Sequence, residues 1–331
     1  MVLPSEVAEQ IEPEPGDVYH YTDANGLLNI VQSNELWATE SHGMNDVAEI
    51  KQGWIVIRDW LRRQNANDPT VSDFQSAAGS GSDDYGYTYF CCASTMPDDA
   101  NQWRNYAAGG RGFAIALGRE TTYRVVTASA PPQPPADPDS LGRRVAGWTE
   151  YLDSYESTSW LKVLYTRQEK ESILDAYLAS ARAGRDEALD PAKFKVESDW
   201  SVARADLLGE YRADLEALAR LMKGEGFKGE SEVRLVVSTA GSRYAGIRAG
   251  QYGITMYQRL APADSSGAEP SPFLAPAYGV AAGQSGGRLP IEQVWCGPLV
   301  NAETNKHAIA ALLSRGGHRN VPVIGSSVSL R

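Results

Sequence analysis

Apolar and polar positions alternate near both ends of the chain, and a long stretch of helical spacing lies between them. VYHYT is a short strand delivering His20, Tyr21 and Thr22, after which Thr22 or Asp23 caps a helix with Leu27, Leu28 and Val31 facing inward. Val47, Ile50, Trp54, Ile57 and Trp60 stand three or four residues apart and predict a second helix, capped by Asn45 and Asp46. YGYTYFCCAS, residues 85–94, is rich in aromatic and β-forming residues and reads as a central strand. NQWRNYAAGG then reads as a short turn into the strand RGFAIAL, residues 111–117, and TTYRVV and LKVLY are two further strand candidates.

From about residue 167 to 223 the period is helical. Trp200, Leu207, Tyr211, Leu215, Leu218 and Met222 define one long amphipathic helix. The glycines of GEGFKGESEVRLVV end it, and a strand begins at Glu232 or just before. PIEQVWCGP is a strand, NAETNKHAIAALLSRGG a helix closed by glycine, and VPVIGSSVSLR a last strand. Strands at the ends and helices in the middle give an α+β fold. It reads as a single domain over residues 1–331, with the sheet core from about 18–125 and 225–331 and a helical insertion over about 140–223. SAPPQPPADPD, ADSSGAEPSP and AAGQSGG are surface loops within it.

With 331 residues, 42% of them hydrophobic, the chain can bury a substantial core. A net charge of -11 argues against broad nonspecific binding to nucleic acid, while leaving room for a local basic groove. No apolar run is long enough for a membrane span, and MVLPSEVAEQIEPEPG lacks the order of a signal peptide, so a cytoplasmic protein without membrane contact is expected. Three cysteines, two of them adjacent, do not make a disulfide framework.

A phosphate-binding GxxxxGK[ST] loop, a GxGxxG fingerprint, zinc-ligand spacing and a GxSxG elbow are all missing, and GGRG precedes a strand where a phosphate loop would precede a helix. His20 and His42 lack the supporting ligands for a metal, so none is expected. What remains is polar chemistry at strand ends: His20 and Thr22, Ser94 and Thr95, Arg111, and the carboxylates Glu230 and Glu232. Two glutamates two residues apart on an extended segment share a face, where one can orient a group and the other polarise it. They can equally be exposed glutamates at a strand start, and His20 can equally be a satisfied core residue. Trp54 and Trp60 read as core, and Trp103 and Tyr106 either pack beneath the sheet or line a pocket. Arg234 is expected to pair with an acid across the sheet. Cys91 and Cys92 read as buried small hydrophobes.

VYHYTDANGLLNIVQSNELWATE, MNDVAE, FCCAST with QWRNYAAGGRGFAIAL, LKVLY, GFKGESEVRLV and IEQVWCGP resemble, in order and over about residues 18–331, the blocks of a bacterial family known as domain of unknown function 2971. Val47 departs from the proline usual there after Asn-Asp, while Asn45, Asp46 and Glu49 match. A strand bearing His-x-Thr followed by a Gly-Leu-x-x-Ile helix also resembles the opening of ADP-ribosyltransferases of the His-Tyr-Glu type.

That second resemblance implies a split antiparallel or mixed β-sheet of the ADP-ribosyltransferase type with an inserted helical region, and NAD as the substrate. It puts His20, with Tyr21 and Thr22 beside it, on the adenosine-side ribose. Ser94 or Tyr106 would support the nicotinamide, Glu232 would meet the nicotinamide-side ribose, and Glu230-Ser231-Glu232 looks like the Glu-x-Glu turn of the arginine-modifying branch. The chemistry is coherent. Breaking the glycosidic bond develops positive charge that a carboxylate stabilises, aromatic faces hold the cationic ring, and Arg111, with Arg104, suits a pyrophosphate. The implied activity is transfer of ADP-ribose to a nucleic acid or protein, as in a toxin or antiphage defence effector with an antitoxin or defence-system partner. The alternatives are a nucleotide-sensing module of the same fold without turnover, or a nucleotide or glycoside hydrolase using Glu230 and Glu232. The last ranks lowest, because residues so close on one strand do not flank a scissile bond.

Overall fold

The computed structural model describes residues 4–44, 49–79, 87–126, 157–194, 196–239, 245–250, 253–263 and 287–330. In chain order these form α1 (Ser5–Ile11), β1 (Val18–Thr22), α2 (Ala24–Ser33), β2 (Leu36–Glu40), α3 (Glu49–Leu61), α4 (Pro69–Gly79), β3 (Tyr87–Ser94) and α5 (Ala100–Tyr106). They continue as β4 (Phe113–Leu117), β5 (Tyr123–Val125), β6 (Ser157–Thr158), β7 (Leu161–Lys162), α6 (Arg167–Ala188) and α7 (Glu197–Ala219). The C-terminal part adds β8 (Glu232–Thr239), β9 (Gly246–Gly250), β10 (Gly253–Pro262), β11 (Ile291–Cys296), α8 (Ala302–Arg315) and β12 (Val323–Gly325). The mixed α+β class expected from the pattern is what forms.

Two compact units result. The first draws on Met1–Glu12, Asp46–Tyr85 and Lys162–Lys228 and is helical. Trp54, Ile57 and Trp60 of α3 are buried in it, as their spacing requires. Phe74 of α4 stacks on Tyr177 of α6 at 5.2 Å and meets the edge of Tyr211 of α7 at 4.8 Å. The buried Asp73 carboxylate accepts from Arg185 at 2.7 Å and Arg204 at 2.5 Å, so the charge is matched inside the bundle. Thr166 and Glu169 form a capping box that starts α6, and Pro191 follows its end.

The second unit draws on Pro13–Asn45, Gly86–Leu161 and Gly229–Arg331 and carries the sheet. β3 runs antiparallel to β8 from Tyr87↔Thr239 to Ser94↔Glu232. Its other edge is shared: β1 meets it only at Tyr19↔Ser94, and β2 meets it at Thr39↔Phe90 and Glu40↔Tyr89. Beyond β3 the sheet therefore divides into two arms. One continues through β1 to β4, β11 and β12, and the other through β2 to β10, with β9 and β5 beside β10. These pairings are antiparallel except for β11 with β12. Val18, Leu36, Ala38, Tyr89, Cys91, Ile115, Val233, Leu235 and Val237 share one buried core, joined by Leu27, Ile30 and Val31 of α2.

Several expectations change. Leu28 is 41% exposed, because Leu27, Ile30 and Val31 already fill the inward stripe of α2. NQWRNY is a helix where a turn was expected: the Asp99 carboxylate accepts from the backbone N–H groups of Asn101 and Gln102 and starts it. VPVIGSSVSLR contributes only three strand residues and LKVLY only two. Asn45, Asp46, Val47, the loop SAPPQPPADPD and, apart from Ala263 and Gly287 at their ends, the loops ADSSGAEPSP and AAGQSGG lie outside the described residues.

Candidate functional site

β1 parts from β3 just after Tyr19, and the first side chain beyond that point is His20. Its Nδ1 lies 2.8 Å from the backbone carbonyl of Cys92 on β3. A carbonyl only accepts, so Nδ1 carries the hydrogen and the neutral ring keeps a lone pair on Nε2. Burial lowers the His20 pKa, and the charge of Arg248 lowers it further, so the ring is neutral near pH 7. His20 is thus a half-buried histidine whose Nε2 can accept a hydrogen bond.

The far side of β3 holds the second group. Glu230 closes a 3-10 segment, Ser231 takes φ +44°, and β8 starts at Glu232. The left-handed residue reverses the backbone, so the two glutamates do not share a face as an extended segment would dictate. The turn is pinned to the end of β3. Ser94 Oγ donates to the Glu230 carbonyl at 2.8 Å, Gln102 Nε2 to the same carbonyl at 2.9 Å, and the Thr95 N–H to the Ser231 carbonyl at 2.9 Å.

The two carboxylates then differ sharply in environment. Glu230 is half-buried and its Oε1 accepts from the Tyr106 hydroxyl at 2.8 Å, with Tyr106 itself 37% exposed. Glu232 is only 6% exposed and takes a two-point hydrogen bond from Arg234, Nε to Oε1 at 2.7 Å and Nη2 to Oε2 at 3.0 Å. Arg234 is fully buried, with its guanidinium 4.8 Å from the Phe90 ring centre. Glu232 lies two residues back on the same strand, and residues i and i+2 share a strand face. Cys92 faces this pair, and burial, followed by the Glu232 charge, raises its thiol pKa well above the usual range. Burial pushes the Cys91 thiol up to about 12. Both cysteines are therefore poor nucleophiles.

The remaining sequence candidates are structural in their contacts. The Tyr21 hydroxyl donates to the Met96 carbonyl at 2.9 Å and accepts from the Asp99 N–H, and its ring meets the buried Trp103 edge-on at 4.8 Å. Trp103 donates to Asp98, which also accepts from Ser326 and Ser327, so the turn after β3 is tied to the C-terminal segment. The Ser94 hydroxyl, buried, is spent on Glu230 and Met96. Arg111 is exposed, beside a turn whose Gly109 and Gly110 have φ +65° and +89°. GGRG thus builds a turn, and a Cβ on Gly112 would lie 2.2 Å from the Thr22 carbonyl at the end of β1. Thr22 itself is half-buried there.

One group was not anticipated. Trp37, Tyr257 and Arg248 share a face of β2, β10 and β9, with the two rings stacked at 4.6 Å. The alternation of LWATE is a signal for β2, whereas GIRAG and GITMYQRLAP carry glycines and exposed isoleucines that weaken the signal for β9 and β10. Among the described residues no three His, Cys, Asp or Glu side chains gather as a metal ligand set, and no helix is long and apolar enough to cross a membrane.

Residues 102–235 match the family model of DUF2971, described as a protein of unknown function, which bears out over that stretch the resemblance read from the sequence blocks. The stretch contains Gln102, Tyr106, Glu230, Glu232 and Arg234. No curated protein and no solved structure matches the chain.

Proposed function

We propose that this DUF2971 protein is an ADP-ribosyltransferase-like enzyme that cleaves NAD and passes ADP-ribose to a nucleic acid or protein acceptor. One observation carries the reading: the last residues of β3 hold both candidate groups. His20 is fixed to the Cys92 carbonyl, and the Glu230-Ser231-Glu232 turn is fixed to Ser94 and Thr95. The division of the sheet at β3 supports a split-sheet fold of the same kind.

The roles follow from the chemistry of each group. His20 Nε2 accepts from a ribose hydroxyl. Glu230, held by Tyr106 and open to solvent, stabilises the positive charge that grows on the nicotinamide-side ribose. The C–N bond breaks with its electron pair leaving on nicotinamide, the acceptor's nucleophile bonds to the same carbon, and its proton passes to Glu230. Glu232, neutralised by Arg234, shapes the strand start and leaves the reacting centre to Glu230. A toxin or antiphage role, with an antitoxin or defence-system partner, fits such an activity.

Release of nicotinamide by the wild type and by E230Q tests the assignment; no turnover, and no ADP-ribose on DNA, RNA or protein, would end it. The Glu232–Arg234 pair favours one second reading, a nucleotide-binding module without turnover, since the carboxylate matching the family position is already neutralised. Thermal stabilisation by NAD without any nicotinamide release would decide for that module.

A further inference from the structure

Trp37 and Thr39 on β2, Tyr257 on β10 and Arg248 on β9 lie on one face of three neighbouring strands. The register makes this so: Tyr257 pairs with Thr39 on one side and with Gly246 on the other, and Arg248 is two residues beyond Gly246. Gly246 leaves the space the Tyr257 ring occupies, since a Cβ there would lie 2.5 Å from two ring carbons. Tyr257 can therefore lie against Trp37, with centroids 4.6 Å apart and planes 28° from parallel. The Arg248 guanidinium sits over both rings, 5.4 Å from Trp37 and 5.7 Å from Tyr257, and its Nη2 donates to Thr39 Oγ1 at 2.6 Å.

This arginine lacks what other buried and half-buried arginines have. Arg234 is matched by Glu232, Arg185 and Arg204 by Asp73, and Arg259 by Glu35. Arg248 is half-buried, its Nε is buried with no acceptor, and among the described residues no carboxylate stands within ion-pair distance. Asp23 acts on it electrostatically, but the Asp23 carboxylate caps α2 through the Gly26 N–H at 2.7 Å. A desolvated cation with an unused donor, held rigid on an aromatic platform, is costly to keep unless an anion completes it. The guanidinium edge suits phosphoryl oxygens, and the rings beside it suit a flat base.

We propose that Arg248, fixed by Thr39 over the Trp37–Tyr257 stack, is the seat for a phosphoryl group of a nucleotide. Binding at this seat stands without any turnover; only its use for the pyrophosphate of NAD rests on the transferase reading.

Calorimetric titration with ADP, inorganic pyrophosphate and adenosine tests it, on wild type, R248M, R248K and T39V. The expected result is ADP binding that R248M weakens about 10- to 100-fold, the worth of hydrogen bonds to a charged group, with weaker adenosine binding unchanged. T39V and R248K lose several-fold and serve in its place if R248M does not fold. In phosphate-free buffer R248M melts no lower than wild type, because an unmatched charge has been removed. ADP affinity equal in wild type and R248M, or no binding by wild type, overturns the seat. Pyrophosphate binding as tight as ADP overturns its nucleotide character. An unchanged KM for NAD in an active R248M overturns the use of the seat for the NAD pyrophosphate and leaves the transferase reading. ADP binding lost in R248M, by a protein that never releases nicotinamide, leaves the seat and sinks that reading.

Discussion

The Tyr106 hydroxyl donates to Glu230 Oε1 across 2.8 Å, tying the end of α5 to the residue that precedes the left-handed turn into β8. Both side chains reach solvent, and the Glu230 backbone is held separately by Ser94 and Gln102. Y106F therefore removes this hydrogen bond from the carboxylate and leaves those that hold the backbone of the turn. We expect nicotinamide release to fall about tenfold, the worth of one hydrogen bond to a charged group, while stability stays within about 0.5 kcal/mol. Steady-state rates with a melting curve check this; an unchanged rate would mean that Tyr106 does not orient Glu230.

Arg234 and Glu232 form a buried pair in which neither charge survives alone. R234M removes the two-point hydrogen bond from the buried Glu232 carboxylate and should cost about 3–5 kcal/mol, whereas the double variant E232L/R234M should recover much of that loss. Urea unfolding of the three proteins measures it. A loss below about 1 kcal/mol in R234M would contradict the pairing as described.

His20 links the site to pH. Its folded pKa is lowered, chiefly by burial, so the unfolded chain binds the proton more readily. The stability this contributes is present above the unfolded value of about 6.5 and is lost as pH falls from there toward the folded value, by at most about 1.4 kcal/mol per pH unit. His318 is shifted the same way, by burial and then by Arg288. Stability should therefore fall as the pH drops below about 6.5, and H20N should flatten that slope without abolishing it. An identical slope in H20N would show that His20 titrates normally.

Asp98 gathers hydrogen bonds from Trp103, Ser326 and Ser327. Burial opposes its charge, yet the bonds from Ser326, Trp103 and Ser327 hold its pKa below the usual carboxylate range. D98A leaves the indole N–H and two hydroxyls without their acceptor and should cost about 1–3 kcal/mol. Limited proteolysis should also cut the C-terminal segment faster in that variant. Equal cleavage rates would show that Asp98 does not hold it.

Local signals carried the elements that announce themselves. Asp23 beside an apolar run gave α2, Trp54, Ile57 and Trp60 gave α3, and the glycines before Glu232 gave the start of β8. The β9–β10 hairpin went unread although β10 joins β2, β9 and β5, because glycines and exposed Ile247 and Ile254 blur its alternation. The site was half legible. His20 and Glu230 could be named from their strand ends. That Ser231 turns the chain, that Arg234 claims Glu232, and that Tyr106 meets Glu230 depend on backbone angles and on contacts between segments distant in sequence, which spacing does not encode. Arg248 was invisible for the same reason: an arginine is a candidate only once its lack of an acid is seen.

The most direct test is nicotinamide release from NAD by the full chain, wild type against E230Q, with H20A alongside. The expected result is release by the wild type, a loss of about 100-fold or more in E230Q, and a raised KM in H20A, with all three proteins folded. Release that is absent from the wild type, or equal in E230Q, would contradict the assignment of Glu230 as the carboxylate that meets the ribose.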